Sequence, residues 1–93
     1  MTDKLEYEIR RGERAEALLQ DELLNDTLET IKQGYMERWL DSPERDVEGR
    51  ERLRLMVKTV DLLKSELQCV LDTGKLAKQT LRQRAGQTLS RFL

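Results

Sequence analysis

The chain has 93 residues, of which 38% are charged and 4% aromatic, with one proline, one cysteine and no histidine. Its net charge of −1 hides an asymmetry: all 18 acidic residues lie at or before Asp72, leaving residues 73–93 with only Lys75, Lys78, Arg82, Arg84 and Arg91 as charges. A chain this small supports one domain of marginal stability, and its composition excludes a disulfide scaffold, a histidine-based zinc site, a Ser-His or Cys-His nucleophile pair and a β-rich core.

The expected fold is all-α. Thr2 or Asp3 caps a first helix whose apolar positions are Leu5, Ile9, Leu18 and Leu19, and Gly12 weakens it by about 1 kcal/mol relative to Ala. Asp21 can accept from the free amides of a new first turn, so residues 3–40 form either one curved helix or two helices meeting near Gln20. Leu24, Leu28, Ile31 and Tyr35 follow at intervals of four, three and four, a heptad seam that demands a partner helix. Asp41-Ser42-Pro43-Glu44 then marks a turn, with proline where its missing amide costs nothing.

A second long helix begins near Glu44 or Val47 and carries the clearest pattern in the chain. Leu53, Met56, Val60, Leu63, Leu67 and Val70 are spaced three, four, three, four and three apart. This matches the seam before the turn and predicts an antiparallel, coiled-coil-like hairpin, roughly 27 Å long if about 18 residues pair. Leu55, Leu62 and Cys69 repeat every seven residues on another side of the same helix. They are the expected oligomer interface, meeting another chain or a docked end segment, with the Cys69 thiol buried and reduced. Gly74 is expected to end the helix near residue 72 in the left-handed conformation. The chain then divides into a hairpin domain over 1–74, with helices at about 3–40 and 44–72, and a basic amphipathic helix or tail over 75–93 carrying Leu76, Leu81, Ala85, Leu89 and Phe92.

No residue cluster specifies a reaction, so no enzyme activity, metal or cofactor is expected. The carboxylates stand at helical spacing among Lys and Arg, as a solvated face does, and Gly74-Lys75 lacks the neighbours that a phosphate loop requires. Trp39 is expected to close the hairpin end in the core, with an exposed anchor for another protein as the other reading. Lys75, Lys78, Arg82, Arg84 and Arg91 are candidate phosphate contacts, although no aromatic stacking platform accompanies them; docking onto a protein groove or the acidic hairpin is their other use. The opening Met1-Thr2-Asp3-Lys4-Leu5-Glu6 lacks the apolar core of a signal peptide. No apolar run approaches the roughly 20 residues a bilayer requires, so a soluble intracellular protein without membrane contact is expected.

Three stretches carry a resemblance. They are Arg10-Arg11-Gly12-Glu13-Arg14-Ala15 with Leu18-Leu19-Gln20-Asp21, then Trp39 through Ser42-Pro43 to Asp46 with Gly49-Arg50-Glu51-Arg52-Leu53, and finally Thr73-Gly74-Lys75-Leu76-Ala77. Together they look like a group of small helical proteins encoded by tailed bacteriophages. The resemblance covers most of the chain as a pattern of length, order and punctuation, and the basic tail with Gly86 departs from it. It implies a virion-assembly gene context, and a location in the host cytoplasm or the virion. The expected function is a self-associating, non-enzymatic component of head assembly or DNA packaging that binds itself and phage structural proteins. The alternatives are a nucleic-acid-binding accessory protein that uses the basic tail, and a phage-encoded inhibitor of a host protein.

Overall fold

Residues 2–92, the part of the chain that the computed structural model describes, form three helices and no strand: α1 (Thr2–Leu19), α2 (Glu22–Asp41) and α3 (Val47–Phe92). The chain breaks between α1 and α2 because Asp21 caps the new helix, its Oδ1 accepting from the Leu24 amide at 2.7 Å. Asn25 secures the break, donating from Nδ2 to the Leu19 carbonyl at 2.8 Å and the Asp21 carbonyl at 3.0 Å. Of the two arrangements open at this point, the structure adopts separate helices. At the next junction Ser42 ends α2, with its amide and its hydroxyl both donating to the Trp39 carbonyl, at 3.2 and 2.5 Å. Asp46 then starts α3, its Oδ1 accepting from the Gly49 amide at 3.0 Å. Gly49 has no Cβ, and the Asp46 carboxylate folds into that space over the helix end.

The stop expected at Gly74 does not occur. α3 runs for 46 residues through it to Phe92, and no described glycine has a positive φ. α3 runs unbroken across the boundary expected between residues 74 and 75. Gly74 is buried at a helix crossing instead: a Cβ built on it would lie 2.8 Å from the Gly12 Cα, and one built on Gly12 would lie 2.9 Å from the Gly74 Cα. Backbones this close leave no room for a side chain, so the glycines serve close approach and not a left-handed turn.

The contacts divide the chain into two units: one joins the chain up to Leu18 with the chain from Leu67 onward, and the other is Leu19–Glu66. In the first, α1 packs antiparallel on the C-terminal half of α3, with Gly12 against Gly74 and Leu18 sharing a groove with Leu67. Ala15 and Ala77, each 2% exposed, are its buried apolar residues among those described. Gly12-Glu13-Arg14-Ala15 and Gly74-Lys75-Leu76-Ala77 thus bring the same small-residue step from each helix.

In the second unit α2 lies antiparallel to the N-terminal half of α3. Lys32 Nζ meets Asp61 Oδ1 at 2.9 Å. Near the turn, the Arg50 guanidinium stacks 4.3 Å from the Trp39 ring centroid and donates to the Trp39 carbonyl and the Ser42 hydroxyl at 3.1 and 2.9 Å. The half-buried residues of α3 here are Gly49, Arg50, Leu53, Val57, Val60 and Lys64, whereas Met56 and Leu63 of the expected seam are exposed. The two seams share Leu53 and Val60 and part by one residue, about 100° of rotation, at the alternate steps. The links from Arg50 and Asp61 both lie on the Val57–Lys64 side and turn that side inward, and the aliphatic stem of Lys64 suits it to a half-buried place. On α2, Leu24, Leu28 and Tyr35 are half-buried as the seam requires, while Ile31 is exposed.

Candidate interaction surfaces

The turning of α3 in the Leu19–Glu66 unit leaves an open apolar flank. Leu55 and Leu62 of the expected interface stripe are exposed, and Met56 and Leu63 join them on the same side, Leu62 being 56% and Leu63 47% exposed. Residues 55 and 56 sit two helical turns, about 10.5 Å, before 62 and 63. The four side chains therefore form a compact patch with no described covering. The pairing of Met56 with Leu55 and of Leu63 with Leu62 was concealed by the alternative seam that claims Met56 and Leu63 for the interior.

The other flank of the same unit carries a groove of about 400 Å³ lined by Met36, Trp39, Leu40, Leu53 and Val57, with Arg54, Lys58 and Asp61 along its rim. Trp39 is a wall of this groove and not a core residue as expected: it is 37% exposed, with the Arg50 guanidinium over its ring. Arg54 grips Glu51 through Nε and a terminal nitrogen at 2.9 and 2.5 Å, and this hydrogen bond holds the Glu51 carboxyl below its usual range. The Asp61 hydrogen bond likewise raises Lys32 above the ordinary lysine value. The outer face of α2 is acidic, with Asp26, Glu29 and Glu37 along a shallow depression that also holds Gln33 and Gly34.

Cys69 belongs to the other unit and is exposed, where a buried thiol was expected. It shares a shallow depression with Glu8, Arg11, Val70 and Thr73. The five C-terminal cations do not form one patch. Lys75 and Lys78 line a groove with Glu13 and Glu16 of α1, and Arg82 follows them on that side by the three-four step, whereas Arg84 and Arg91 fall on roughly the opposite side.

Among the described residues no group of three or more Cys, Asp or Glu could hold a metal ion, and no described helix is long and apolar enough to cross a membrane. The surfaces offered are apolar patches edged by charge, which is chemistry suited to holding another surface. No known protein family, curated protein or solved structure matches the chain.

Proposed function

We propose that the chain is a non-catalytic helical interaction protein that self-associates through the open flank of α3 and serves as a small structural or accessory component in phage head assembly or DNA packaging. The observation that carries the first part is the patch of Leu55, Met56, Leu62 and Leu63, exposed in a chain in which the buried apolar residues among those described are two alanines. Leaving such a patch in water forgoes about 25 cal/mol for each Å² that association would cover. The phage setting rests on the resemblance of residues 10–21, 39–53 and 73–77. The two-sided placement of the five C-terminal cations speaks against the basic tail as a single phosphate-gripping strip.

Light scattering after size exclusion, at two protein concentrations, tests the association. The chain is expected as an oligomer that Leu62→Glu dissociates with its helix content intact. Val60→Glu, on the half-buried seam, is expected to lose helix as well. A wild-type mass that stays monomeric at both concentrations overturns the reading. Mass spectrometry of purified phage heads checks the setting: the chain is expected there in stoichiometric amount if it is a structural component.

A further inference from the structure

We propose that the self-association closes as a two-fold dimer in which α3 pairs antiparallel with α3 of a second copy about Thr59, Arg52 of each copy meeting Glu66 of the other. This deepens the function proposed above and rests on it in taking the flank of Leu55, Met56, Leu62 and Leu63 as the contact. What it adds is the direction and register of the pairing and the two charged residues that set them.

The flank has a symmetry of its own. At about 100° per residue a helix returns to within about 20° of its starting direction after seven residues, so Arg52, Thr59 and Glu66 stand along one line of α3. Leu55 and Leu62 lie on one side of that line and Met56 and Leu63 on the other, each about 40–60° from it. Thr59 is the midpoint: Leu55 is four residues before it and Leu62 three after, while Met56 is three before and Leu63 four after. A half-turn about an axis beside Thr59 therefore sets Leu55 against Leu62 of the other copy, Met56 against its Leu63, and Thr59 against its own counterpart. A surface of this kind is self-complementary, as an isologous interface requires, and it closes at two copies.

Charge chooses the direction. Arg52 is seven residues before Thr59 and Glu66 seven after it, so the same half-turn brings an arginine and a glutamate together twice. Both are exposed, and among the described residues neither joins an ion pair within the chain. Parallel pairing would instead oppose Arg52 to Arg52 and Glu66 to Glu66. An antiparallel pairing slipped by one heptad would lose both Arg52–Glu66 pairs and set Thr59 against a charge.

The surroundings leave the contact free to form. The Thr59 hydroxyl already donates to the Leu55 carbonyl at 2.8 Å, so the centre brings no unsatisfied donor out of water. Of the neighbouring charges, Glu51 is held by Arg54 and Lys58 lines the Trp39 groove. The Val57–Lys64 side that meets α2 is about 140° round the helix from Thr59, which keeps α2 clear of the second copy. The paired stretch from Arg52 to Glu66 is about 21 Å long, short for an obligate interface, and a concentration-dependent dimer follows.

Sedimentation equilibrium of the full chain at about 50 mM salt, where exposed pairs are little screened, tests this. The wild type is expected as monomer and dimer and nothing larger. Arg52→Glu or Glu66→Arg alone should weaken the dimer at least about fivefold, because each trades two attractions for two repulsions. The double variant, and an equimolar mixture of the two single variants, should both recover it, since each restores two opposite-charge pairs. Circular dichroism checks that the variants keep their helix. In a Cys69→Ser background Thr59→Cys should cross-link between chains under mild oxidation, whereas Arg52→Cys should not, its counterpart standing about 21 Å away along the pair. Single reversals that leave the dimer unchanged, or a disulfide through residue 52 as readily formed as one through residue 59, would overturn the proposal. Leu62→Glu keeps the two conclusions apart: if it dissociates the chain while the charge reversals do nothing, the flank contact stands and the two-fold register falls. A wild type that is monomeric at every concentration removes both.

Discussion

Gly12 and Gly74 meet each other's backbone, whereas Gly34 and Gly86 have nothing within 4 Å of where a Cβ would stand. Four identical substitutions should therefore divide by sign. Gly34→Ala and Gly86→Ala gain helix propensity without obstruction and should stabilise by up to about 1 kcal/mol each. Gly12→Ala gains the same propensity but must force two backbones apart, an overpacking cost of about 1–3 kcal/mol. Gly74→Ala should be the worse of the pair, because its Cβ would also lie 2.9 Å from the Glu8 carbonyl oxygen. Thermal melts by circular dichroism should show the first two variants raised and the last two lowered. The Glu51–Arg54 pair yields a pH prediction of one sign. Its hydrogen bond lowers the Glu51 carboxyl in the folded state, so its contribution is present at neutral pH and is lost as pH falls through that lowered value. Arg54→Gln should flatten the acid side of a plot of urea midpoint against pH.

At the scale of the element, α3 illustrates why a heptad pattern leaves its own face ambiguous. Leu53, Val60 and Leu67 belong to two adjacent seams, one completed by Met56 and Leu63 and the other by Val57 and Lys64. Apolarity alone favours the first, because Leu63 outranks a lysine. The structure takes the second because Arg50 and Asp61, which tie α3 to Trp39 and Lys32, share its side. Val57→Ala should accordingly destabilise by about 1 kcal/mol, while Met56→Ala should stay within about 0.5 kcal/mol in the monomer and act on association instead. Chemical denaturation and light scattering of the same two variants check both halves. The helix junctions behaved differently, since their caps act on amides and carbonyls a few residues away: local sequence marked the turn at Ser42-Pro43 and left Asp21 as either a bend or a break, while the Asp46 cap went unread.

At the scale of the molecule, one helix serves two units by two kinds of packing. Around Gly74 it offers small residues for backbone approach, and around Val60 it offers branched side chains and charged links. Gly12→Ala should therefore act locally. Hydrogen exchange is expected to lose protection in α1 and in residues 67–81, while the amides of α2 and of residues 50–64 keep theirs. Uniform loss along the whole of α3 would show instead that the two packings stand or fall together.

Composition, capping residues and periodicity by themselves determined the all-α class, the turn at Ser42-Pro43, and the presence of more apolar surface on α3 than one neighbour covers. These are local or additive properties: a cap needs only the next turn, and a stripe needs only its spacing. Tertiary structure alone decided the rest. Glycine suits a left-handed helix stop and a helix crossing equally well, and which one Gly74 serves depends on Gly12, 62 positions earlier in the chain. The exposure of Cys69, the place of Trp39 in a groove wall and the choice between adjacent seams follow in the same way, because each is set by which side of a helix its neighbour happens to cover.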